Sequence, residues 1–125
     1  REVLSRIGAP PSAENIRFFE AWRASEGAKS AFNPFNTTMR ASGATNNAAH
    51  GEKNYISEEQ GIDATVRTLR LGYYTKIVAA LRRGKSAEEA AAALASSPWG
   101  TKDLVLKVLK RGFTRKPIWR LPEKQ

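Results

Sequence analysis

The sequence predicts a mainly α domain carrying one small irregular or β-rich lobe, and three observations lead there. Apolar residues recur at helical spacing in five stretches, most of them bounded by a capping signal. Between Ala28 and Tyr55 the texture shifts to Asn, Thr, Gly, Ser and Ala with few large apolar side chains, which breaks the helical run. Finally, 125 residues with 41% apolar and 26% charged content suit one globular domain, 1–125. Its core is expected over about 12–112, with 113–125 as a basic aromatic tail.

The first predicted helix runs from about Ala13 to Glu26. Ser12 follows "APP" and can accept from free N–H groups of the first turn, while Glu14 suits the positive end of the helix. Phe18, Phe19 and Trp22 share one face, Glu26 continues it four residues beyond Trp22, and Gly27 suits a left-handed terminus. In the polar stretch that follows, short extended pieces are expected around "NTTMR" and "KNYI".

"SEEQ" at Ser57–Gln60 has capping-box spacing and opens a second helix, with Ile62, Val66 and Leu69 inward and Gly72 able to stop it. "YYTKIVAALRRG" gives a third, with Tyr74, Ile77, Val78 and Leu81 inward and Gly84 as terminator. "SAEE" opens a fourth through another capping box, in an alanine-rich run that favours helix. After the break "SSPWGT", "KDLVLKVLKRG" forms a fifth, with Asp103 in its first turn and Lys110 and Arg111 near its last, matching the helix dipole. The tail "FTRKPIWRLPEKQ" contains two prolines and is not expected to be regular helix.

Twenty-one Lys and Arg against twelve Asp and Glu leave a net charge of +9, which draws the chain to anionic partners: nucleic acid, anionic lipid or bacterial cell wall. With no cysteine, disulfides, thiol nucleophiles and thiolate metal sites are excluded. No long apolar run suggests a membrane span. The chain begins at Arg1 instead of a methionine, as expected of a fragment or processed product.

Glu26 is the main candidate for chemistry. A carboxylate at a helix C-terminus meets the negative end of the dipole, and its place on the Phe18/Trp22 face takes it partly out of water. Both effects favour the protonated acid. A rise of about two pKa units costs about 2.7 kcal/mol, and such a group donates a proton near neutral pH. The plainer reading is a solvated glutamate at a helix end. The following "FNPFNTT", Phe32–Thr38, interleaves amides and hydroxyls with aromatic faces, the mixture that sugar rings need; its alternative is an Asn-Pro turn with core phenylalanines. Tyr55, Tyr73, Tyr74 and Trp99 are candidates for a stacking wall, two of them expected to touch ligand and the rest to be core. His50 lacks the partners for a zinc site or a hydrolase triad, and neither a G-x-S-x-G elbow nor a phosphate-binding glycine loop is present. No metal or other cofactor is called for.

The order "AWRASEGAKSAFNPFNTT", then "NYISEEQGIDATVRTLRLGYYTKIVAAL", then "SSPWGT" resembles the lysozyme-like peptidoglycan hydrolases, especially the glucosaminidase and phage cell-wall hydrolase branches, over roughly Ala13 to Thr101. The resemblance implies a lysozyme-like helical core with a small lobe and a glycan groove between them. It makes Glu26 the general acid and places Asn33, Phe35, Asn36 and Thr37 along the groove floor, with Tyr55 and Tyr73 or Tyr74 as groove aromatics. Two departures stand out: "GAKS" follows the glutamate where glycine- or serine-rich sequence is usual, and no second carboxylate matches by position. Glu52 is the best candidate for that role, with Glu58, Glu59 and Asp63 behind it, the first two being better explained as helix-start charges. Carboxyl groups about 5 to 5.5 Å apart imply retention, and about 6.5 to 9.5 Å leaves room for an attacking water. A lytic transglycosylase route through a substrate hydroxyl is the other option.

The function expected is cleavage of β-1,4 bonds in peptidoglycan glycan strands by a phage lysin or virion-associated enzyme. Its place of action is outside the cell or at the wall, in the virion, or in host cytoplasm before lysis, and other domains of a larger phage protein are possible partners. Two rivals stand beside it. One is a non-catalytic wall-binding or virion structural domain. The other is a basic helical nucleic-acid-binding module carried by "KVLKRGFTRKPIWR".

Overall fold

The computed structural model describes residues 1–46, 51–98 and 104–112. The described residues form helices α1 (Glu2–Arg6), α2 (Ala13–Glu26), α3 (Glu58–Leu69), α4 (Thr75–Arg83), α5 (Ala87–Ala95) and α6 (Leu104–Arg111), with a 3-10 turn at Gly72–Tyr74. Strands β1 (Thr45–Asn46) and β2 (Lys53–Asn54) pair antiparallel, Thr45 opposite Asn54 and Asn46 opposite Lys53. The described residues are therefore mainly helical with one very small sheet.

The core is organised around α2. Phe18, Phe19 and Trp22 pack together on its inner face, and Phe19 and Trp22 meet Phe35 from the following loop, with Trp22 and Phe35 only 4.4 Å apart at their ring centroids. Alanine explains how so many helices share this core. Ala87, Ala90 and Ala91 are buried on α5, and their small side chains let it pack closely on α2, α4 and α6. Glu14 of α2 also caps α5 by accepting from the Ala87 N–H at 3.1 Å. Asn15 is 1% exposed and ties α2 to α4: its Nδ2 donates to Pro10 O at 2.8 Å and to Leu81 O at 2.7 Å. A buried amide so satisfied fixes the approach of two elements without leaving a polar group stranded.

Ser12, Ser57 and Ser86 cap their helices by accepting from Asn15 N, Gln60 N and Glu89 N. Several expectations need correction. Gln60 Oε1 accepts from Ile56 N, one residue before the cap position, and its Nε2 reaches Ser42 O. The α3 helix ends at Leu69, and Gly72 opens the 3-10 turn instead of stopping the helix. "NTTMR" forms no strand; Thr37 O accepts one backbone bond from Lys53 N, and the first strand lies later, at Thr45–Asn46. The α1 helix had no sequence signal, since five residues are too few to display a period. His50, Trp99, Asp103 and the basic aromatic tail 113–125 lie outside the described residues. No helix among the described residues is long and apolar enough to cross a membrane.

Candidate active site

Glu26 is the last residue of α2, and Gly27 ends the helix in the left-handed region at φ 55°. That reversal sends the chain back beneath the carboxyl group. Glu26 Oε1 accepts from the Trp22 indole N–H at 3.2 Å, one helical turn earlier, and Oε2 accepts from Asn36 Nδ2 at 3.1 Å. Burial pushes the Glu26 pKa up; the bonds from Asn36 and Trp22 pull it down, and the nearby charge of Glu52 raises it again. The net direction is upward, because two neutral donors compensate only part of the lost hydration.

The loop that delivers Asn36 is locked from several sides. Asn33 Nδ2 donates to Thr37 O at 2.8 Å and Lys53 O at 2.9 Å, while its Oδ1 accepts from Thr37 N at 2.9 Å. Tyr55 N donates to Ala31 O, and Asn54 Oδ1 accepts from Ala31 N, both at 2.9 Å. Phe32 and Asn36 both adopt positive φ, 51° and 56°, so the turn takes a backbone shape that few side chains favour. At Gly61 a Cβ would lie 2.0 Å from the Phe32 carbonyl oxygen, so only glycine lets α3 press this closely on the loop.

These clasps place Glu52 beside Glu26. Lys53 is bonded to Thr37, Thr37 follows Asn36, and Asn36 holds Glu26. Glu52 is half-buried, and its Oε2 is shielded from solvent with no hydrogen-bond partner. Such an atom is costly unless something polar meets it. The fallback carboxylates are engaged elsewhere, Glu59 with Arg6 at 2.6 Å and Asp63 with Arg67 at 2.9 Å, and Glu58 is exposed in the first turn of α3.

Most of the proposed ligand contacts prove to be scaffold. Asn33 is 1% exposed and spends its side chain on backbone groups. Phe35 is fully buried against Trp22 and Phe19. Thr37 is buried with its hydroxyl bonded to Thr68 Oγ1 at 2.8 Å, and Tyr74 belongs to the core. Tyr55 is buried, donates its hydroxyl to Met39 O at 2.6 Å, and has its pKa pushed up to about 12 chiefly by burial. All five are buried, where they close the core or fix the loop. Asn36 touches the Glu26 carboxylate, and Tyr73 stands exposed at 74% on the 3-10 turn. No bond or ring contact among the described residues joins Tyr73 to the Glu26 cluster. Trp99 lies outside the described residues.

Trp22 is the participant the sequence reading missed. Its place on the apolar face marks it as a packing residue, yet the Trp22–Glu26 spacing of one helical turn already permits the indole N–H to reach the carboxylate. Comparison with known proteins gives no match, whether to family models, to curated proteins or to solved structures.

Proposed function

We propose that the protein is a lysozyme-like glycosidase that cleaves β-1,4 bonds in peptidoglycan glycan strands, as a phage lysin or virion-associated enzyme acting at the bacterial wall. The observation that carries the reading is the pairing of a held, half-buried Glu26 carboxyl with a second carboxylate, Glu52, whose Oε2 has no partner. Two carboxyl groups in unlike environments are what glycoside cleavage uses, one to protonate the leaving oxygen and the other to direct a nucleophile or stabilise positive charge. The motif order running from Glu26 through the Asn-Pro-Phe-Asn turn supports the same substrate.

In this reading Glu26 protonates the glycosidic oxygen. Trp22 and Asn36 fix its orientation and then stabilise the carboxylate left behind, since both are donors. Glu52 Oε2 accepts a hydrogen bond from the attacking water or substrate hydroxyl, which removes its isolation. Expelling glycosidic oxygen without acid assistance is slow, so Glu26→Gln is expected to lower turnover about 10² to 10⁴-fold while the variant stays folded.

Digestion of purified peptidoglycan by parent, Glu26→Gln and Glu52→Gln, with new ends identified by mass, tests this. A reducing N-acetylglucosamine end identifies a glucosaminidase, a reducing N-acetylmuramic end a muramidase, and an anhydro end a transglycosylase. Wall binding by the parent without release of soluble fragments would instead support a non-catalytic wall-binding domain. Equal digestion by parent and Glu26→Gln would remove Glu26 from the chemistry.

A further inference from the structure

A second feature lies between α1, the C-terminal end of α3 and α4, formed by residues other than those around Glu26. It is a cavity of about 580 Å³ whose lining includes Arg6, Arg70 and Arg82 together with Leu69, Leu71 and Val78. The three arginines are not equivalent. Arg6 is neutralised by Glu59 at 2.6 Å and Glu2 at 2.9 Å. Neither Arg70 nor Arg82 has an acidic partner among the described residues.

Both free guanidinium groups are nevertheless fixed. Arg70 Nη2 donates to Arg6 O at 2.9 Å, and Arg82 Nε donates to Ile7 O at 3.0 Å. Because those acceptors are consecutive carbonyls at the end of α1, the two cations are drawn to neighbouring positions on the cavity wall. Each uses one N–H this way, and an arginine has five, so the others remain for a ligand. Like charges so placed repel, and an anion between them removes the repulsion. The arginines have already lost much of their rotamer freedom, which lowers the entropy cost of binding.

We infer that this cavity binds the phosphate of a polyol- or sugar-phosphate polymer, Arg70 and Arg82 gripping the phosphate while the exposed Leu71 and the partly buried Val78 pack the carbon skeleton. A single arginine can satisfy a carboxylate by a bidentate pair, whereas two guanidinium groups from separate elements suit the several oxygens of a tetrahedral anion. The choice of a wall polymer as the phosphate's source rests on the wall-hydrolase reading, but the phosphate site itself stands on the arginine geometry alone.

Titration of the full chain with a short poly(glycerol phosphate), followed by the arginine side-chain N–H signals in NMR, tests the site without reference to catalysis. Saturable binding is expected, weakened at least about tenfold by Arg70→Gln or Arg82→Gln and unchanged by Lys110→Gln on α6. Binding equally weakened by all three substitutions would show diffuse charge attraction and overturn the site, as would no binding. Parallel titrations with duplex DNA and with phosphatidylglycerol vesicles test the source: stronger, Arg70-dependent binding to either would overturn the wall-polymer assignment. Glu26→Gln is expected to bind the polymer as the parent does, so loss of glycan cleavage and loss of phosphate binding are separable results.

Discussion

At Glu26, the two neighbours that hold the carboxyl in place also oppose the effects that favour its protonated form. Desolvation favours the neutral acid and the Glu52 charge adds to it, whereas Asn36 and Trp22 favour the carboxylate. If Glu26 acts as a proton donor, activity falls as pH rises through its pKa. Asn36→Ala removes a donor that stabilises the ionised form, so the alkaline limb of the pH profile should move up; Glu52→Gln removes a raising charge, so it should move down. A purely structural role for Asn36 predicts lower activity with no displacement of that limb. Stability carries the same sign. A carboxyl raised above its ordinary 4.5 binds protons more tightly folded than unfolded, so its contribution is fully present in acid and is lost as pH rises through the folded value. The unfolding free energy of Glu26→Gln relative to the parent should therefore shift in the variant's favour between strongly acidic and neutral pH, measurable by denaturant titration. A difference independent of pH would mean that Glu26 titrates normally.

Among the elements, helices were readable because their signals are local. Ser12, Ser57 and Ser86 with the periodic apolar residues locate the starts and inner faces of α2, α3 and α5. The loop from Ala28 to Tyr55 was readable only as irregular, since its order comes from bonds between distant residues, such as Asn33 to Lys53 and Ala31 to Asn54. For the same reason Asn33 and Thr37 looked like ligand groups: composition reports polar atoms but not whether the backbone has already satisfied them. Gly61 concentrates this dependence. In an exposed helix interior glycine to alanine stabilises by about 1 kcal/mol, yet here the added carbon meets the Phe32 carbonyl. Gly61→Ala is predicted to destabilise by about 1 to 3 kcal/mol and, by pushing the loop away, to reduce activity beyond what the lost stability explains. A stabilised, fully active variant would show that α3 and the loop are not pressed together in solution.

Over the whole molecule, charge is distributed so that attraction and chemistry can be separated. Among the described residues, ion pairs engage Glu2, Glu14, Glu59, Asp63, Glu88 and Glu89 with arginines on partly or fully exposed surface, where such pairs add little stability. With those acids occupied, the excess of +9 acts outward on whatever surface the protein approaches. Salt screens this field over about 8 Å at physiological ionic strength, but it hardly reaches the half-buried contacts that hold Glu26. Raising sodium chloride should therefore reduce sedimentation with purified walls while leaving turnover of a short, uncharged glycan nearly constant. Arg70→Gln should lower wall binding more than Lys110→Gln at every salt concentration, because the two remove equal charge and differ only in the cavity. If salt reduced oligomer turnover as strongly as wall binding, the positive field would have to act on the bond-breaking step itself. If wall binding ignored salt, recognition would depend on uncharged contacts, and the excess charge would have no role in reaching the substrate.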